Sequence, residues 1–119
     1  MSIINSAYSF LLKKGFLKDP VSTCFAARYQ NSRDLDYAKT EVDRIELVAG
    51  PVRGKKVIDV GGGPGLVSIE MARRGADVTW YDISKNYETL ASSNMKEAGI
   101  VIQRVRGLID EDFNKSLEK

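Results

Sequence analysis

Val57-Ile58-Asp59-Val60-Gly61-Gly62-Gly63-Pro64-Gly65, continued without a break by Leu66-Val67-Ser68-Ile69-Glu70-Met71-Ala72, is the stretch whose reading decides the fold. A short β-rich apolar run, a turn holding four glycines and a helical apolar pattern predict strand, tight turn and helix, the opening of a βαβ unit. Such a turn is a place for a ligand. Glycine admits positive φ and puts no Cβ between backbone and a bound group, while the helix that follows points unpaired N–H groups at the same space. Pro64 suits a position in the turn, or just before the helix, where no N–H is needed.

Several ligands use a glycine turn after a strand, and the neighbouring residues separate them. A dinucleotide fingerprint starting at Gly61 requires glycine or alanine at the place of Leu66; started at Gly63 it ends on Ser68, a poorer match. A Walker-type phosphate loop requires Gly-Lys-Ser/Thr, which does not follow. What remains is strand, acid, then Gly-x-Gly-x-Gly. In this the chain resembles the class I, Rossmann-like S-adenosylmethionine-dependent methyltransferases, whose first motif is apolar-apolar-acid-apolar-Gly-x-Gly-x-Gly, matched in full from Val57 to Gly65. The resemblance implies S-adenosylmethionine as cofactor, its amino acid end held by Asp59 and the turn of Gly61, Gly62, Gly63 and Gly65.

A second acid strengthens the match. Val78 to Tyr81 reads as a strand, and Asp82, seventeen residues after Gly65, falls at its carboxyl end, the edge where ligands bind in a parallel α/β sheet. A carboxylate there can accept hydrogen bonds from both hydroxyls of a ribose, the role the resemblance implies for Asp82, with Ile83 against the adenine. The other reading is that Asp82 and Ser84 merely cap the next helix; Ser84 is the better cap and leaves Asp82 free for the ligand.

Composition excludes other classes. The 119 residues allow one domain, and 43% hydrophobic with 29% charged residues is ordinary globular composition. A net charge of +2, with basic residues scattered, gives no argument for nucleic acid. There is one cysteine, Cys24, hence no internal disulfide, and no histidine, so a zinc site lacks ligands and no metal is expected. No signal pattern or membrane-length apolar run is present, which predicts a cytoplasmic protein.

Outward from the turn, Ala7, Phe10, Leu11 and Lys14 suggest a short amphipathic helix, and Asp19-Pro20 marks a break. A helix is expected over about 34–48, with Leu35, Ala38, Val42, Ile45 and Val48 or Ala49 on its apolar face and Gly50-Pro51 as its stop. By the resemblance, Tyr29 or Tyr37 can border the methionine part of the cofactor; core or surface is the equal alternative. The helix from Leu66 to about Arg74 ends at Gly75 and offers Leu66, Ile69, Met71 and Ala72 to the sheet. The next begins after Ser84 and ends at Gly99, and Ile100 to Val105 alternates toward a third strand. Beyond it the resemblance implies a residue meeting the adenine amino group: Gly107 fits, Leu108 departs from the acid-containing versions, and a backbone N–H near Leu108 can serve.

The fold expected is α/β, a truncated Rossmann-like three-layer sandwich with parallel strands in order 3-2-1, flanking helices and an N-terminal helical segment. Residues 1–50 form that segment, 51–110 the β-α-β-α-β cofactor-binding half-domain and 111–119 a polar tail. The resemblance covers about residues 35 to 110, the first half of such a domain. Its first strand would then be an apolar edge, expected to pair with a second copy in a homo-oligomer or with a partner chain supplying the missing half. The functions expected are methyl transfer to an unidentified acceptor or, alternatively, a non-catalytic subunit or fragment working through its edge. An NAD-binding fragment is a weaker third reading. No residue is nominated as catalytic; without histidine, a base for an oxygen acceptor must be a tyrosine, a carboxylate or a group on the missing half.

Overall fold

The computed structural model describes Asp19 and residues 35–107, and the expectations for residues 1–18, Tyr29, Leu108 and the tail lie outside that range. Helix α1 spans Leu35–Ala49, strand β1 Lys56–Val60, helix α2 Leu66–Arg73, strand β2 Asp77–Asp82, helix α3 Lys85–Ala98 and strand β3 Gln103–Arg106. The strands form one parallel sheet in the order β1-β2-β3, as the pattern of alternating strands and helices requires. Two crossovers in the same direction put α2 and α3 on one face of the sheet, α2 against β2 and α3 against β3, with α1 lying on α2.

Glycine stops each helix as expected, by two different closures. At the ends of α2 and α3, Ala76 N–H donates to Met71 O and Ile100 N–H to Met95 O, while Gly75 and Gly99, both at positive φ, close the inner bond: the Schellman arrangement. At the end of α1, Gly50 N–H reaches Glu46 O at 2.9 Å, and Pro51 after it has no N–H to give. The closure at Gly99 also corrects the start of β3. Ile100 is spent on the helix cap, so the ladder begins at Gln103, three residues later than the alternation predicts.

The core lies between the sheet and the helices: Val78 and Trp80 from β2 meet Ile69 and Met71 of α2, Ala91 and Met95 of α3, and Ile102. Tyr81 points to the opposite face and is buried there too. Among the predicted α2 contacts, Ile69 and Met71 are buried, Leu66 and Ala72 only half so, and Ser68 and Glu70 are buried in addition.

The apolar face predicted for α1 is partly wrong. Ala38 and Val42 are buried, but Ile45 is 39% and Val48 91% exposed. The contact stripe runs Ala38, Val42, Glu46 at a spacing of four. Glu46 belongs to it because it meets Arg74, the residue that caps the end of α2, whose guanidinium also binds Asp43, Glu70 and the Lys39 carbonyl. A polar residue on the contact face misled the apolar count.

Candidate functional site

The register of the sheet builds the site. Asp59 lies opposite Trp80 and Val60 opposite Tyr81, so the chain leaving β1 enters the glycine turn beside Asp82, the last residue of β2. Gly61 and Gly62 N–H both donate to Tyr81 O, at 2.7 and 3.1 Å, and Gly63 N–H donates to Asp82 Oδ2 at 3.0 Å. The buried indole of Trp80 donates to Gly63 O at 3.0 Å. Alternate residues of one face of β2 therefore hold both sides of Gly63. Asn94 of α3 donates to Pro64 O at 2.9 Å and fastens the far side of the turn.

The four glycines divide by what requires them. A Cβ on Gly62 would lie 2.3 Å from Trp80 Cδ1, and one on Gly65 3.1 Å from both Ala91 Cβ and Met95 Cε, so these two serve the packing of turn on strand and helix. Gly61, exposed and at φ +71, would direct a Cβ into open space, as a surface awaiting a ligand does. With their N–H groups engaged by Tyr81 and Asp82, Gly61, Gly62 and Gly63 offer a ligand close approach rather than donors.

Asp59 and Asp82 line this turn. Asp59 is half-buried at the end of β1 and accepts from Ser68 Oγ at 2.7 Å. Burial raises its pKa above the ordinary 3.8; the Ser68 hydrogen bond opposes the shift and the charge of Asp82 adds to it. Asp82 is not left free by the Ser84 cap. Ser84 Oγ does cap α3, accepting Tyr87 N–H at 3.0 Å, but Ser84 N–H donates to Asp82 Oδ1 at 2.9 Å. Each carboxylate oxygen of Asp82 thus has one backbone partner and keeps a second acceptor direction. Ile83 follows, half-buried between β2 and α3, and Gly107 extends the ladder past β3 through its N–H to Asp82 O at 3.0 Å. Tyr37 is 58% exposed on α1.

Sequence reasoning does not single out Ser68, Trp80, Asn94 or Asp19. Ser68 stands in the first turn of the helix after the glycines, and Trp80 is opposite Asp59 once a parallel register is assumed, so both could be found. Asp19 offers no comparable signal: its carboxylate reaches Ser84, 65 residues away.

Two carboxylates beside an open glycine turn, one of them, Asp59, without a cation acting on it among the described residues, fit a ligand with a cationic end and adjacent hydroxyls. Among the described residues no acid or cysteine cluster is placed to hold a metal ion, and no helix is long and apolar enough to cross a membrane.

Fold and site together define a Rossmann-like α/β cofactor-binding unit. The methyltransferase domain family profile matches residues 27–115, and the chain belongs to that family. S-adenosylmethionine is the cofactor of this class, as the resemblance of the first motif implies. The chain is 39% identical over 67 residues to a ubiquinone biosynthesis O-methyltransferase of Photorhabdus laumondii, covering 56% of this chain and 28% of that protein. It is 42% identical over 61 residues to the enzyme of that name from Ralstonia nicotianae, covering 51% and 25%. Among solved structures, a protein assigned as an S-adenosylmethionine-dependent methyltransferase from Methanococcus maripaludis superposes with a TM-score of 0.66 at 26% identity, covering 77% of this chain and 44% of that one. The chain thus spans less than a third of these two curated relatives and under half of this structural neighbour.

Proposed function

We propose that this chain is the cofactor-binding half of an S-adenosylmethionine-dependent methyltransferase. Asp82 accepts hydrogen bonds from the ribose hydroxyls; Asp59 and the turn of Gly61, Gly62, Gly63 and Gly65 receive the amino acid end; Ile83 lies against the adenine, with Gly107 and Leu108 along its edge. The observation that carries this reading is the placing of Asp59 and Asp82 on either side of a turn whose outermost glycine faces open space. A bound ammonium stabilises the ionised Asp59 carboxylate against the cost of its burial.

The cofactor, when bound, supplies an electrophilic methyl group on its sulfonium. The work left to the protein is alignment and exclusion of water. Trp80, Asn94 and Asp82 hold the turn rigid, so the binding surface exists before the ligand arrives. The names of the curated relatives support an oxygen acceptor. With no histidine in the chain, its proton leaves to a tyrosine, a carboxylate or a group on another segment. The test is transfer of label from methyl-labelled S-adenosylmethionine to a panel of phenols, amines and thiols: transfer to phenols supports the oxygen acceptor, and transfer to amines or thiols alone overturns it. We propose a cytoplasmic setting, supported by the single cysteine, Cys24, and so no internal disulfide.

A second reading is a non-catalytic subunit acting through the β1 edge. One observation favours it: among the described residues β1 pairs only with β2, and Val60 is 45% exposed. Mass in solution separates the arrangements: a dimer supports pairing of two copies across this edge, and a monomer leaves the edge to a different chain.

A further inference from the structure

We propose that Asp19 is a positioning residue for the cofactor site, acting through Ser84 on the carboxylate of Asp82; the inference rests on the reading of Asp82 as the acceptor for the ribose. Asp19 Oδ1 accepts from Ser84 Oγ at 2.8 Å, and Oδ2 accepts from Lys85 N–H at 2.6 Å and Asn86 N–H at 3.3 Å. A carboxylate distant in sequence thus meets three donors at the start of α3, a helix that already has its own cap in Ser84. Ser84 is fully buried and engaged on every side: its hydroxyl donates to Asp19 and accepts from Tyr87 N–H, and its own N–H donates to Asp82. Asp19 is therefore linked to the glycine turn through one residue: it fixes the Ser84 side chain, the Ser84 backbone N–H fixes Asp82, and Asp82 fixes Gly63.

The chemistry of the helix start gives this link its purpose. Unpaired first-turn N–H groups attract any nearby carboxylate, and Asp82 stands immediately before them. Asp19 satisfies Lys85 N–H, Asn86 N–H and the Ser84 hydroxyl, so the remaining acceptor directions of Asp82 stay available to a ligand. Burial of Ser84 keeps water from substituting for Asp19 at the Ser84 hydroxyl. Without Asp19, donors two to four residues beyond Asp82 compete for its carboxylate.

The experiment is calorimetry on the full 119-residue chain with S-adenosylhomocysteine and with its 2′-deoxy analogue, for the wild type, Asp19→Asn, Ser84→Ala and Asp82→Ala, with melting curves to establish folding. Asp19→Asn and Ser84→Ala are each expected to weaken S-adenosylhomocysteine about fivefold, but the 2′-deoxy analogue less than about twofold, because the coupling passes through the ribose-bound carboxylate. Equal weakening for both ligands, or no weakening for either in folded variants, overturns the proposal. Should Asp82→Ala bind as tightly as the wild type, the ribose reading itself falls, and this inference with it.

Discussion

The indole N–H of Trp80 donates to the carbonyl oxygen of Gly63 at 3.0 Å, from a ring with no solvent exposure. Two residues on along the same face of β2, Asp82 accepts the N–H of the same glycine. One residue of the turn is thereby clamped on both sides, and the shape of the turn is set by the strand beneath it. The conformational entropy of the turn is lost on folding rather than on binding, which is the advantage of a preformed site.

Gly62 and Gly61 should respond differently to a methyl group. In Gly62→Ala the new Cβ meets Trp80 at 2.3 Å, displacing the indole and its hydrogen bond. Overpacking of this kind costs about 1–3 kcal/mol. Gly61→Ala meets no atom within 4 Å but holds alanine at φ +71, a strain of about 1–2 kcal/mol. Urea unfolding and calorimetry should show that Gly62→Ala loses stability and cofactor affinity together, whereas Gly61→Ala loses less stability for a comparable loss of affinity. Equal stability of Gly62→Ala and the wild type would remove the clamp.

Asp59 carries a pH signature. Burial, opposed by Ser68 and reinforced by the charge of Asp82, raises its folded pKa above the ordinary 3.8, so the fold binds this proton more tightly than the unfolded chain does. The stability it contributes is full below that ordinary value, declines as pH rises through the folded value and stays lost above it. Asp59→Asn is therefore expected to be at least as stable as the wild type at neutral pH and to lack that decline. Its S-adenosylmethionine affinity should fall roughly tenfold or more, the worth of a charged hydrogen bond. Urea midpoints across the acid range, with calorimetry at neutral pH, check both; a variant less stable at neutral pH contradicts the assignment.

Glu46 has the opposite sign. Val52 N–H, first, and then Arg74 hold its carboxyl below the ordinary 4.5. Its contribution is present above that value and is lost as pH falls through the lowered one. Glu46→Gln should lower the melting temperature at neutral pH and flatten the loss of stability on acidification. Arg74→Lys should also lower it, because an ammonium cannot span Glu70, Glu46, Asp43 and the Lys39 carbonyl as the planar guanidinium does. Thermal melts at low and high salt check this pair, the loss being larger at low salt. Unchanged melting of both variants would show that α1 does not depend on the cluster.

The strand-turn-helix order was legible because its signals are local. Four glycines after Val57-Ile58-Asp59-Val60 and the glycine stops at 50, 75 and 99 act through the backbone of their immediate neighbours, and the ends of β1, β2 and the three helices fall at or within a residue of the expected ones. What escaped depends on long-range contact. The face of α1 departs from the apolar pattern because Glu46, half-buried, is paired with Arg74, 28 residues on, and the start of β3 because Ile100 closes a helix. In the site, residue types were readable and their commitments were not: Asp82 reads as a free acid, yet its partners Gly63 and Ser84 appear only when the sheet register is known. Asp19 is beyond any local pattern.

The proposed function requires that this chain present a working cofactor surface with Asp82 at its centre. Calorimetry of S-adenosylmethionine and S-adenosylhomocysteine on the purified chain, with NAD as control and Asp82→Ala alongside, tests it most directly. Micromolar binding of both adenosyl ligands and none of NAD are expected, with a loss of roughly a hundredfold in Asp82→Ala, the worth of two hydrogen bonds to a charged acceptor. A folded chain that binds neither adenosyl ligand, or binds them equally well without the Asp82 carboxylate, would contradict the proposed function.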